Sequence, residues 1–152
     1  MPDAGADLPV VGHTLYERAV IYDSGAFVAL ASSQDQHHAE ARACLNTIAA
    51  DRLPTFVTTA TIHESHRRIL SLHGQARARD FLASVGDGTV AIVRPTLEED
   101  QVAIDLIDRY PYLELSLTDA LTVAVMTSRS IGRVFSFDDH FFRLGALRVP
   151  PL

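Results

Sequence analysis

At 152 residues and 47% hydrophobic, the chain is long enough to bury one substantial core and too apolar to stay disordered over most of its length. All 13 basic residues are Arg, and the absence of Lys excludes a P-loop lysine and Schiff-base chemistry on a lysine. The formal net charge of -6 argues against a protein that coats nucleic acid by charge alone.

Residues 1–18 are rich in Pro, Gly and Asp and read as a poorly ordered leader, so the domain is expected over 19–152. The leader carries acids where a signal peptide would be positive, and no apolar run approaches the ~20 residues of a membrane helix. The cytoplasm is the expected compartment, with no membrane partner. The first strand spans about 19–23 and stops on Asp23. Ser24–Ala31 follows as a short helix and Asp35–Ala50 as a second. Cys44, the single cysteine, sits among Ala and Leu there and reads as a packed small hydrophobe; no disulfide can form within a monomer. Pro54 opens a second strand, Thr55–Thr58, and Thr59 is the expected cap of a helix that carries Glu64. Gly74 breaks that helix, and Gln75–Val85 forms another. Gly86-Asp87-Gly88 turns the chain into a third strand, Thr89–Val93.

Thr96-Leu97-Glu98-Glu99 has the form of a capping box, which predicts a helix to about Arg109, ended by Pro111. Ser116-Leu117-Thr118-Asp119 leads into the most apolar helix, Ala120–Met126. A fourth strand, Arg133–Phe137, stops at Asp138; a short helix over His140–Leu144 and a last strand at Leu147–Val149 complete the chain. Strands alternating with helices predict an α/β fold with parallel pairing and right-handed crossovers. The strands are continuously apolar, as a central sheet covered by helices on both faces requires.

Ligands bind open parallel sheets at the carboxyl ends of strands, where strand order reverses. Asp23 and Asp138 end the first and fourth strands, which become neighbours if the first strand is central. Glu64 lies one turn into the helix after strand two, and Asp119 at the start of the apolar helix. Each has an ordinary alternative: Asp119 as a helix-terminal acid with Thr118 or Ser116 as cap, Asp138 as a turn residue, Glu64 as a surface charge, Asp23 as a cap. A shared site explains all four together. Two carboxylates about 5 Å apart repel by roughly 3 kcal/mol at an effective dielectric of about 20, so such a group must protonate, spread or share a cation. Oxygen donors select Mg²⁺ or Mn²⁺ over zinc, and such an ion, held by carboxylates and water, suits phosphodiester hydrolysis.

These segments resemble the PIN-domain ribonucleases, most of all the VapC toxins of toxin–antitoxin pairs. The likeness rests on Ile21-Tyr22-Asp23-Ser24-Gly25-Ala26-Phe27, Thr61-Ile62-His63-Glu64-Ser65, Leu117-Thr118-Asp119-Ala120 and Phe135-Ser136-Phe137-Asp138-Asp139-His140-Phe141, in that order from about residue 19 to the end. The resemblance implies a three-layer PIN-like fold with a central parallel sheet of four to five short strands, the first strand central. It implies an Mg²⁺- or Mn²⁺-dependent endoribonuclease, a homodimer, and an antitoxin whose tail occupies the active-site groove. By the family pattern the catalytic acids are Asp23, Glu64, Asp119 and Asp138. Asp23, Asp119 and Asp138 would bind metal directly, Glu64 and Asp139 through water, with Ser136 and Ser24 in support. Two other functions remain to be weighed: a PIN nuclease of RNA processing without an antitoxin, and a catalytically silent protein-binding module.

His63, His66, Arg67, Arg68, His73, Arg77 and Arg79 form the one basic stretch. It reads either as a rim that contacts RNA phosphates, with Arg67, Arg68, Arg77 and Arg79 as candidates, or as a solvated helical face. His63-Glu64-Ser65-His66 lacks the His-Glu-x-x-His spacing of zinc proteases, and Ser24 lacks the Gly-x-Ser-x-Gly setting of a nucleophile. A receiver-type phosphoacceptor role for Asp23 needs a lysine. Haloacid-dehalogenase chemistry needs an acid where Gly25 stands.

Overall fold

Short runs of β-branched and aromatic residues form the strands, and the first four each lead through a short polar stretch into a helix. The computed structural model describes residues 18–144 and 146–150; the expected leader lies outside the described residues except for Arg18. In chain order the elements are β1 (Val20–Tyr22), α1 (Ser24–Ala31), α2 (His38–Ala50), β2 (Thr55–Thr58), α3 (Thr59–His73) and α4 (Gln75–Gly86). Then come β3 (Ala91–Val93), α5 (Leu97–Arg109), a 3₁₀ turn (Pro111–Leu113), α6 (Leu117–Arg129), β4 (Arg133–Phe135), α7 (His140–Arg143) and β5 (Leu147–Val149).

The five strands are all parallel, in the order β3-β2-β1-β4-β5. The expected α/β fold with a central first strand is therefore present. The chain winds from β1 outward to β3 and then crosses back to β4, so order reverses between β1 and β4, at the carboxyl ends of those two strands.

Alternation along the strands supplies both layers. Val20, Tyr22 and Phe135 pack with Phe27, Ile48, Ile69 and Phe81 from α1 to α4. Ile21 and Val134 pack on the other side with Leu106, Val123, Met126 and Phe141 from α5 to α7. Helix α6 buries seven consecutive residues, Ala120 to Met126, so it is enclosed rather than amphipathic.

Several boundaries differ from expectation for local reasons. Asp35 precedes α2 instead of opening it, because its side chain and its carbonyl accept the amides of His37 and His38 in a turn. Thr58, and not Thr59, caps α3: its hydroxyl accepts the Thr61 amide at 3.0 Å. The third strand is shortened to Ala91–Val93, with Thr89 held by two hydrogen bonds to the Asp87 carboxylate. The fourth ends at Phe135, and α6 starts at Leu117 because Ser116 is its cap. The Thr96–Glu99 capping box forms as predicted.

Candidate active site at the carboxyl edge of the sheet

Pairing register builds the centre of the site. Tyr22 lies opposite Phe135, so Asp23 and Ser136, one step further along, leave the sheet side by side. The Asp23 amide donates to the Phe135 carbonyl at 3.0 Å, and the Ser136 hydroxyl donates to Asp23 Oδ2 at 2.9 Å. Asp23 is only 1% exposed, and its Oδ1 is buried without a hydrogen-bond partner among the described residues. Burial, followed by the charge of Asp119, pushes the Asp23 carboxyl up to about 7; Asp138 adds to the rise, and the Ser136 hydroxyl and the Ser24 amide oppose it.

Asp119 enters from α6, where it has a local and a long-range connection. It is the third helical residue of a capping box, its amide bonded to Ser116 Oγ at 3.1 Å and its Oδ2 to the Ser116 amide at 3.4 Å. The same Oδ2 lies 3.4 Å from His140 Nε2, an atom that is buried and makes no hydrogen bond among the described residues. Burial raises the Asp119 carboxyl and Glu64 adds to it, while His140 and Ser116 oppose the rise. The helix-terminal reading of Asp119 is therefore true, and it does not displace the other: the cap fixes the carboxylate at the cleft.

Glu64 completes the group from α3. Asp23, Glu64 and Asp119 each offer an oxygen, and these oxygens lie within 4.8 Å of one another. Among the described residues this is the one set of three or more acids, histidines or cysteines gathered that closely. The donor set is all oxygen, one oxygen is buried and unpartnered among the described residues, and the Asp23 and Asp119 carboxyl groups are pushed towards the neutral form. Those three features fit a hard divalent cation.

The other expected residues stand around this centre. Asp138 is exposed, outside the group of three, yet near enough to raise Asp23; its amide donates to Ser136 Oγ at 3.0 Å. Asp139 is exposed beside it and precedes α7. Glu64, expected to act through water, thus lies in the inner group, while Asp138, expected to bind directly, lies outside it. Arg68 Nη1 donates to Ser24 Oγ at 2.8 Å, which ties α3 to the first turn of α1. Arg67 is exposed in an open groove of about 770 Å³ that also contains Glu64. Arg77 and Arg79 are exposed on α4, and Arg77 lines a different groove of about 640 Å³. That second groove has an apolar floor, with Tyr22, Phe27, Leu45, Ile48 and Phe81 among its lining residues, and charged residues such as Arg42 and Asp80 also line it.

Two residues of the site escaped the sequence reading. His140 stands in the last family-like segment and in a short helix, but it carries no role there, and nothing local points it at Asp119. Arg94, which follows β3, lines the groove of Glu64 and Arg67. Its position at a strand's carboxyl end was the available signal.

A model of a family described as "PIN domain" matches residues 20–147. Among solved structures, the Mycobacterium tuberculosis toxin VapC20, described as cleaving the sarcin-ricin loop, superposes with a TM-score of 0.77 at 21% identity. The match covers 85% of this chain and 97% of that one. VapBC2 from Rickettsia felis, bound to a DNA fragment from its promoter, gives a TM-score of 0.62 at 8% identity, covering 86% and 96%. At these identities the likeness speaks for the fold. No curated protein matches the chain.

Proposed function

The chain belongs to the PIN domain family, and on that premise we propose that it is a divalent-metal-dependent endoribonuclease, the toxin of a toxin–antitoxin pair. One observation carries the reading: a carboxylate 1% exposed, with an oxygen that has no partner among the described residues, faces two further carboxylates within 4.8 Å. A buried, unsatisfied acid is destabilising unless something absent from the chain completes it.

Asp23, Glu64 and Asp119 would hold Mg²⁺ or Mn²⁺, with Asp138 and Asp139 contributing from the solvent side. Such an ion acidifies a coordinated water and neutralises charge that develops on the phosphate and the leaving oxygen. The chain's own part is placement. Ser136 fixes Asp23 Oδ2 and leaves Oδ1 available, the α6 cap fixes Asp119, and the Arg68–Ser24 bond holds the start of α1 beside Asp23. The buried α6 ties Asp119 to the core, since each buried Val or Leu side chain is worth about 1.5–3 kcal/mol. Arg67 lies where it can meet an RNA backbone.

The proposed partners are RNA, a second copy of the chain and a cognate antitoxin. The groove between α2 and α4, with aromatic and aliphatic side chains lining it beside charges of both signs, suits a protein segment. No helix among the described residues is long and apolar enough to cross a membrane, in keeping with a cytoplasmic site of action.

The test is cleavage of RNA by purified protein with Mg²⁺ or Mn²⁺, comparing the natural protein with Asp23→Asn and Asp119→Asn. The expected result is cleavage that EDTA stops and that both substitutions abolish. Undiminished cleavage in EDTA or in both variants sinks the mechanism. In cells, the natural chain should arrest growth, and co-expressed antitoxin should relieve the arrest.

A further inference from the structure

We infer that Arg94 and Arg67 together hold the backbone of the RNA strand beside the scissile bond, so that the strand runs from the carboxylates across α3 to the end of β3. This rests on the ribonuclease reading and adds the path of the substrate. Thr58 lies opposite Val93 in the sheet, and Thr58 caps α3. Arg94, one residue beyond Val93, is thereby brought to the start of α3, next to the helical face that carries Glu64. On that face Arg67 lies four residues after His63 and three after Glu64, and all three line the same groove as Arg94. Arg67 is one helical turn beyond Glu64, about 4.5 Å along the axis.

Charge explains why this groove needs them. A phosphodiester about 5 Å from one of these carboxylates is repelled by roughly 3 kcal/mol at an effective dielectric of about 20. A cation at the carboxylates offsets this for the scissile phosphate, but its neighbours in the strand need cations from the protein. Arg67 and Arg94 are the two arginines that line this groove: both are exposed, and neither makes a hydrogen bond or ion pair among the described residues. Arg68 and Arg129, by contrast, are bonded to Ser24 and Glu99. Asp100 stands on the α5 side of the groove and repels phosphate there, which confines the strand to the α3 and β3 side. Thr59 and Thr118 add hydroxyls along it.

The experiment separates binding from cleavage. Affinity for a fluorescein-labelled single-stranded oligouridine is measured in Mn²⁺ against salt concentration, on an Asp23→Asn background that does not cut. Arg67→Gln, Arg94→Gln, the double variant and Arg109→Gln are compared; Arg109 lies at the opposite end of α5 and removes the same charge. The slope of log affinity against log salt should fall in magnitude by about 0.7 for each of Arg67 and Arg94, and by about 1.4 for both. Arg109→Gln should leave it unchanged, and Arg94→Lys should restore it. In the cleaving protein, Arg94→Gln should raise KM with kcat held. An Arg94→Gln slope equal to that of Arg109→Gln overturns the inference, as does a parent protein without salt-dependent binding. A slope carried by Arg77 and Arg79 in parallel Gln variants overturns it too, by moving the strand to α4. The ribonuclease reading is judged separately, by metal-dependent cleavage in the Asp23 and Asp119 comparison.

Discussion

Two acids among the described residues are buried, in opposite conditions. Glu99, 5% exposed, is fully provided for: it accepts from Arg129 Nε and Nη2 at 3.0 and 3.2 Å, from the Ser128 hydroxyl, and from the Thr96 amide at 2.9 Å. Burial pushes its carboxyl up, but the bonds from Arg129, Ser128 and Thr96 outweigh it, and the group settles below its ordinary value. Asp23, 1% exposed, receives one hydroxyl on Oδ2, no hydrogen bond on Oδ1 from the described residues, and two like charges nearby. Both acids lie in the same fold, at opposite ends of α6. Glu99 joins α5 to α6 and is complete as the chain folds. Asp23 is left incomplete, and on the proposed reading a cation shared with Glu64 and Asp119 would complete it.

The contrast yields predictions that can break it, beginning with activity. Asp119→Asn and Asp23→Asn should each lower RNA cleavage at least about 1,000-fold, equivalent to about 4 kcal/mol, since a catalytic ion supplies several kcal/mol. Glu99→Gln, assayed alongside at a temperature where all are folded, should cleave like the natural protein. A comparable loss at Glu99 would erase the distinction between the two acids.

The second prediction concerns pH. The folded Asp23 carboxyl lies at about 7, above its ordinary 3.8, so between those values the unfolded chain holds fewer protons than the folded one. Stability in EDTA should therefore fall as pH rises, by at most about 3 kcal/mol between pH 5 and pH 8. Denaturant titrations across that range check it. Asp23→Asn should remove this fall, and so should saturating Mn²⁺, which takes the place of the missing partner. A natural protein whose metal-free stability is flat over this window refutes the unpaired state of Asp23.

Glu99→Ala should destabilise the fold by about 2 kcal/mol, because several bonds to a charged acceptor vanish and the Thr96 cap loses its reciprocal half. Equilibrium unfolding measures this. The smallest effect belongs to Ser116→Ala, which removes the hydroxyl that caps α6 and should lower stability by about 1 kcal/mol. Its sharper readout is metal affinity: loosening Asp119 should weaken Mn²⁺ binding in calorimetry, while removal of the Thr96 hydroxyl at the other capping box should not.

Much of this was legible along the chain. Thr96 with Glu99 announced a capping box, Gly74 the end of α3, and the apolar run Ala120–Met126 an enclosed helix. Each signal acts within one turn of its own residue, and the structure honours each. The boundaries that moved did so where two local partners competed, as Thr58 and Thr59 did for the start of α3 and Asp35 for the start of α2.

The sequence by itself determined the alternation of strands and helices and the four acids at segment ends, because periodicity, capping and turn chemistry depend on near neighbours. Only the tertiary structure decided which of those acids share a space. Ser136 reaches Asp23 across 113 residues through strand register, and Arg68 reaches Ser24 across 44. Glu64 joined the inner group and Asp138 stood outside it, His140 came to Asp119, and Arg94 came to Glu64's groove. Contacts of that kind follow from strand order and register, which place distant residues together by geometry, and no pattern within a short window carries that geometry.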